Sequence, residues 1–343
     1  SAVDVDVYGI MLSTTTLATA YNGITGSINF LAGSEYEHDA NGGVVPQANW
    51  NPTSTARITG ITSSTTLGGI VGQSFGRWIH ASASQTSVLS YCTAGGTVNF
   101  KGNFTIDNTG SGSVVLKNTT AAITATMEAD LIVNAAGNFV ANAGTTAALT
   151  LNVLGDISIT GGSFNLSSAA VACILNLSGD YTQTGGTFTQ TSTSVSTVNF
   201  VGGASVFNQS GGTYTNTFLQ YTIASASTLD INSSFTLQTS RTFVVNAGAF
   251  LNLGSNITVN GTMTQSGTMD LGAYVVSGTG TFTANAATTT LVIGHADGIN
   301  LVATGAIGNI QTSVRNYGAT SNHIYNGTVA QSTGTGLPTN ITT

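Results

Sequence analysis

Apolar and polar positions alternate along most of this chain in short runs, each closed by glycine or asparagine. Strict alternation over a few residues predicts half-buried β-strands. The pattern is clearest where one unit is written twice. Leu151-Asn-Val-Leu-Gly-Asp-Ile-Ser-Ile-Thr-Gly-Gly-Ser-Phe164 is followed by a second copy from Leu175, so that Asn152 recurs as Asn176, Gly155 as Gly179 and Asp156 as Asp180. Gly161-Gly162 likewise recurs as Gly185-Gly186, and Phe164 as Phe188. A looser third copy follows at Val198-Asn-Phe200 and Gly211-Gly-Thr-Tyr214. A fixed period in the twenties predicts a solenoid, because no such unit can bury its apolar side chains alone and each must stack on the next.

The expected fold is therefore all-β: a parallel β-helix, or solenoid, with coils of roughly 20–25 residues, about 14 turns in all. Right-handed coiling follows from the general preference of parallel connections. The recurring word is apolar-Asn-x-Gly or apolar-Asn-Gly, read as strand residues followed by Asn and Gly at a positive-φ corner. Three segments are expected. Residues 1–95 form an N-terminal solenoid part with irregular Trp- and His-containing loops, residues 96–290 carry the regular repeats, and residues 291–343 form a further solenoid module. Val3, Val5 and Val7 share one face of a first strand, Ile24 belongs to another, and Asn340-Ile-Thr-Thr343 reads as a strand beginning, continuing into a longer chain.

Composition sharpens the picture. Of 343 residues only 6 are Lys or Arg, the formal net charge is −7, and charged residues make up 6%. That excludes the cationic stripe that nucleic acid requires and the polybasic segment that anionic lipid requires. No apolar run is long enough to span a membrane as a helix. With Glu, Lys and Arg scarce and Thr and Val abundant, helix should be minimal. The N-terminus lacks a basic region followed by an apolar core, so the leader of a secreted chain would have been removed or would lie outside these residues. Cys92 and Cys173 read as buried small residues or as a disulfide.

At this point the chain resembles a known group. Gly294-His-Ala-Asp-Gly-Ile299, Gly308-Asn-Ile-Gln-Thr312, Tyr325-Asn-Gly-Thr328 and Gly334-Thr-Gly-Leu-Pro338 resemble a module recurring in very large secreted proteins of Bacteroidota. Tyr36-Glu-His38, Asn41-Gly-Gly43, Pro46, Trp50, Ile58-Thr-Gly-Ile61 and Gly72-Gln-Ser-Phe-Gly76 resemble a companion module. The resemblance implies export by the type IX secretion system and display at the cell surface as adhesins or filaments. It also implies a longer parent chain, whose sorting domain is not among these residues.

Candidate chemistry is sparse. Glu35, Glu37 and Asp39 would share one strand face with His38 opposite. They read as a Ca²⁺ site, as paired carboxylates acting on a glycan, or as a solvated loop whose Tyr36 and His38 pack into the core. Trp50 and Trp78 read as plugs of a wider part of the solenoid or as caps of a side loop, and they are the candidates for an aromatic glycan-binding strip. A polysaccharide lyase would need a base beside clustered carboxylates, whereas Lys101, Lys117, Arg57, Arg77, Arg241 and Arg315 are scattered in sequence. Asp156 and Asp180 read as turn formers or as a short acidic ladder. Thr187-Phe-Thr-Gln-Thr191 and Thr213-Tyr-Thr-Asn-Thr217 read as ordinary solvated faces or as ice-binding rows, with Phe188 and Tyr214 stacked inside. His295 and His323 stand alone. The expectation is a non-catalytic structural segment, without a cofactor, whose partners are neighbouring repeats or copies of the same protein. A glycan-binding adhesion module is the alternative, ahead of an enzyme or an ice-binding protein.

Overall fold

The computed structural model describes residues 4–16 and 27–338; Val3, Ile24 and Asn340–Thr343 lie outside them. The architecture is all-β, with parallel sheets stacked as a β-solenoid of about 12 turns. Among the described residues the helical element is one 3-10 turn, Val302–Thr304. The chain forms two units. Ser1–Asn176, Gln183–Ser196 and Gly211–Thr215 make the first, and Leu177–Thr182, Thr197–Ser210 and Asn216–Thr343 the second.

In the first unit each regular coil carries three short strands. Phe104–Asn108, Leu131–Ala136 and Ile157–Ile159 succeed one another in one sheet, and Gly96–Phe100, Ile123–Met127 and Leu149–Val153 in another. Val88–Cys92, Ser113–Lys117, Asn138–Asn142, Ser163–Ser167, Thr187–Thr189 and Thr213–Tyr214 form the third. Parallel register sets like on like: Leu131 meets Ile157, Val133 meets Ile159, and Phe164 meets Phe188. The Phe139, Phe164, Phe188 and Tyr214 rings stack at 5.3, 5.2 and 4.8 Å between centroids. Each fully buried ring contributes roughly 1.5–3 kcal/mol of transfer free energy, and pairing along the solenoid satisfies the backbone.

The second unit repeats the plan with shorter strands. Ser205–Gln209, Thr228–Ile231, Phe250–Leu253, Thr268–Asp270, Thr290–Ile293 and Asn322–Tyr325 line one sheet. Leu219–Ile223, Thr242–Val245, Thr262–Gln265, Thr281–Ala284 and Val314–Tyr317 line another.

Coil length varies more than the twin repeat suggests. Glu35 pairs with Thr55 and Leu251 with Met269, but Phe104 pairs with Leu131 and Leu291 with His323. Longer coils in the middle and near the end account for fewer turns than expected.

The corner chemistry also differs from expectation. Asn152 and Asn176 lie within strands, and Asn176 Nδ2 donates to Asn152 Oδ1 at 2.8 Å. The asparagine therefore builds a ladder from coil to coil rather than a positive-φ corner. The corner belongs to the second glycine of each pair: Gly162, Gly186 and Gly212 have φ of 60°, 62° and 71°. The first glycine is required by proximity, since a Cβ on Gly161 would sit 2.4 Å from Ala135 Cα.

Candidate functional site

The chemistry-bearing residues of the first unit gather between Glu35 and Lys101. Glu35–His38, Thr55–Ile58 and Arg77–Ala81 are neighbouring parallel strands, and strand alternation sorts their side chains. Tyr36, Ala56 and Trp78 form one inward row, and His38, Ile58 and His80 the next. Small Ala56 between two large rings leaves room for both.

Each inward polar atom has a partner. Tyr36 Oη donates to His38 Nδ1 at 2.8 Å, and His38 Nε2 donates to the Gly42 carbonyl at 2.9 Å. One level on, Trp78 Nε1 donates to Tyr91 Oη at 3.1 Å, Tyr91 Oη donates to His80 Nδ1 at 2.8 Å, and His80 Nε2 donates to Gln85 Oε1 at 2.6 Å. The Gln85 amide is oriented by its own donation to Ser87 and Ser113 carbonyls, which leaves Oε1 as the acceptor and fixes the His80 tautomer. Burial pushes His80 down to about 4 and lowers His38, so both imidazoles are neutral at pH 7. The same burial raises Tyr91 well above the phenol range. Trp50 Nε1 donates to Gln73 Oε1 at 3.1 Å, and its ring stacks on Phe30 at 4.1 Å.

These contacts correct the reading of Trp50 and Trp78 as a sugar platform. They are 3% and 0% exposed, and a buried ring offers no face to a ligand. Both fill the interior instead.

The chain matched no protein family, no curated protein and no solved structure.

The acidic cluster is spread out by its strand. Glu35 and Glu37 face outward, half-buried, while Tyr36 and His38 point inward as the alternation predicted. Glu35 Oε1 accepts from Arg57 Nε at 3.0 Å and Glu37 Oε1 from Thr59 Oγ1 at 3.1 Å. Asp39 is exposed beyond the strand end. Among the described residues no three His, Cys, Asp or Glu side chains gather as metal ligands do.

Turn aspartates cap the next coil. Asp130 Oδ1 accepts from the Asp156 amide at 3.0 Å, and Asp180 Oδ1 from the Val206 amide at 2.8 Å. Cys92 and Cys173 are buried, unbonded thiols, and burial raises both, Cys92 to about 12. His295 Nδ1 lies 3.7 Å from Asp297 Oδ2, and His323 is half-buried under Tyr317.

Sequence reasoning missed a groove of ≈ 430 Å³ in the first unit, lined by Pro52, Thr53, Arg77, Ile79, Lys101 and Asn103 among others. Arg77 and Lys101 read as scattered, and no repeat links them: one coil on from Trp78 is Phe104, 26 residues away, so nothing in the sequence placed the two cations together.

Proposed function

We propose that this chain is a non-catalytic structural segment of a secreted cell-surface protein, a stalk or filament of an adhesin-like protein. One observation carries the reading: the side chains best equipped for chemistry are consumed in structural bonds, within a coil or to the next one. His38, His80, Tyr36 and Tyr91 close buried hydrogen-bond chains, and Glu35, Asp130 and Asp180 bind the neighbouring coil. Outward amide rows add further ties, such as Asn49 to Asn29 and Asn29 to Asp6, at 2.8 and 2.7 Å. The neutral Thr-, Ser- and Asn-rich exterior and the resemblance to large secreted Bacteroidota proteins support placement outside the cell, with type IX export. Its partners are then neighbouring repeats or copies of itself. The test is electron microscopy of cell-surface extracts labelled with an antibody to this chain. Labelled fibres or a cell-attached brush support the reading; label confined to the cell interior overturns it.

A second reading, a glycan-binding adhesion module, is favoured by the groove beside Arg77 and Lys101. Two cations in a chain with 6 Lys and Arg point to an acidic saccharide. A glycan array would show acidic ligands bound by the native chain and lost in the Arg77→Ala/Lys101→Ala double variant.

A further inference from the structure

Lys117 is the last residue of the strand Ser113–Lys117 and has no exposed surface. In the parallel register it stands between Cys92 on one coil and Asn142 on the next, and neither of those is exposed either. Among the described residues no carboxylate pairs with it. Its Nζ donates to the Thr119 carbonyl at 2.8 Å. An ammonium has three hydrogens to satisfy, and a buried one with a single acceptor is costly. Burial accordingly lowers Lys117, and the titratable groups around it are the protonated thiols of Cys92 and Cys173. The amine is driven towards its neutral, nucleophilic form.

Its neighbour is an oriented carboxamide. Asn142 Oδ1 accepts from the Gly144 amide at 3.0 Å, while Nδ2 donates to the Val171 and Ala172 carbonyls at 3.3 and 3.1 Å. Gly144 leaves open the small space between amine and amide. A Cβ there would lie 1.9 Å from Lys117 Nζ and 3.3 Å from Asn142 Oδ1.

We propose that Lys117 and Asn142 join through an intramolecular isopeptide bond that clamps one coil to the next. The Nζ lone pair attacks Asn142 Cγ, and the charge that develops on Oδ1 is met by the Gly144 amide. The Cγ–Nδ2 bond breaks, a proton passes from Nζ to Nδ2, and ammonia leaves between the Val171 and Ala172 carbonyls. One carbon–nitrogen bond forms and one breaks, with no oxidant or co-reactant. The fixed neighbourhood supplies the effective concentration that the free amine and amide lack. The product amide has a single N–H, for which Thr119 O is already in place, so the reaction also removes the unmet donors. The inference does not depend on the functional reading above.

The test is the denatured intact mass of the full chain with tryptic mapping. The expected mass is about 17 Da below that of the sequence, the weight of one ammonia. Trypsin should fail to cut after Lys117, and a branched peptide should join the Lys117 and Asn142 segments. Lys117→Met and Asn142→Ala should each recover their full sequence mass. A wild-type chain at full mass, cut after Lys117, overturns the proposal. So does a deficit that persists in Lys117→Met, which would mark a cyclised asparagine elsewhere. If neither variant folds, the wild-type peptide map alone decides.

Discussion

Two stretches of the first unit wrap the same backbone around different interiors. From Leu131 to Asn176, and again from Gln183, the inner rows are mostly aliphatic and phenylalanine side chains, Phe139, Phe164 and Phe188 among them, with Asn142 and Gln183 as buried polar exceptions and glycine pairs at the corners. From Glu35 to Cys92 the rows hold Tyr36, Trp50, Trp78, His38, His80 and Tyr91, all buried. The coil fixes only which side of each strand faces inward. The regular stretch then relies mainly on shape, where near-isosteric exchange is tolerated. The irregular stretch relies on directional bonds, where removing one partner strands the rest.

The largest effect should come from Trp78→Ala. It empties a site 0% exposed and removes the donor to Tyr91. The expected loss is about 3–5 kcal/mol, against about 0.5–1.5 kcal/mol for Ile159→Val in the regular stretch. Urea unfolding of both variants measures the gap, and equal losses would erase the contrast between the two interiors.

Acid should separate the stretches next. His80 is held at about 4 in the folded chain, against 6.5 for a free imidazole. As pH falls the unfolded chain takes up that proton first. The contribution is therefore complete above pH 6.5, declines as pH falls, and is gone below about 4. Linkage makes the total about 3 kcal/mol. His38, lowered for the same reason, adds in the same direction, whereas residues 123–192 contain no histidine. Stability measured against pH should flatten over this window in His80→Gln; an unchanged slope would place the acid sensitivity elsewhere.

How much of this was legible follows from distance along the chain. The match of Phe164 with Phe188 and the glycine pairs could be read directly, because one coil earlier or later means one repeat earlier or later. The stacked Phe188 and Tyr214 rings and the inward Tyr36 and His38 follow from alternation alone. The burial of Trp50 and Trp78 was half legible: a tryptophan there could plug a wider part of the solenoid or cap a side loop, and both plug it. Their partners Gln73 and Tyr91 stand 23 and 13 residues away, in a stretch where no unit is written twice, so nothing in the sequence chose between plug and cap. Asparagine misled for a related reason. Its preference for turns is a local property, while its partner here lies one coil away.

Gly162 offers a test of the corner reading. With φ of 60° and a Cβ that would fall 1.9 Å from the Gly137 carbonyl oxygen, Gly162→Ala meets strain and collision together. A loss of about 1–3 kcal/mol is expected. Gly72, also at positive φ but with nothing within 4 Å of its Cβ position, should lose less on the same change. If both glycines cost the same, backbone conformation outweighs coil contact at the corners.

The smallest effect is expected on the outside, where both stretches look alike. Asn134 Nδ2 donates to Asp107 at 2.7 Å and its Oδ1 accepts from Thr160 at 3.3 Å, one link in an outward row like that of Asn29. Water can replace both partners when the amide is removed, and the backbone pairing of Leu131–Ala136 with its neighbours persists. Asn134→Ala should therefore cost less than about 1 kcal/mol in thermal or urea unfolding. A loss of several kcal/mol would reverse the order argued above. The polar rows, present on both stretches, would then hold the coils in register, and the contrast between the two interiors would matter little to stability.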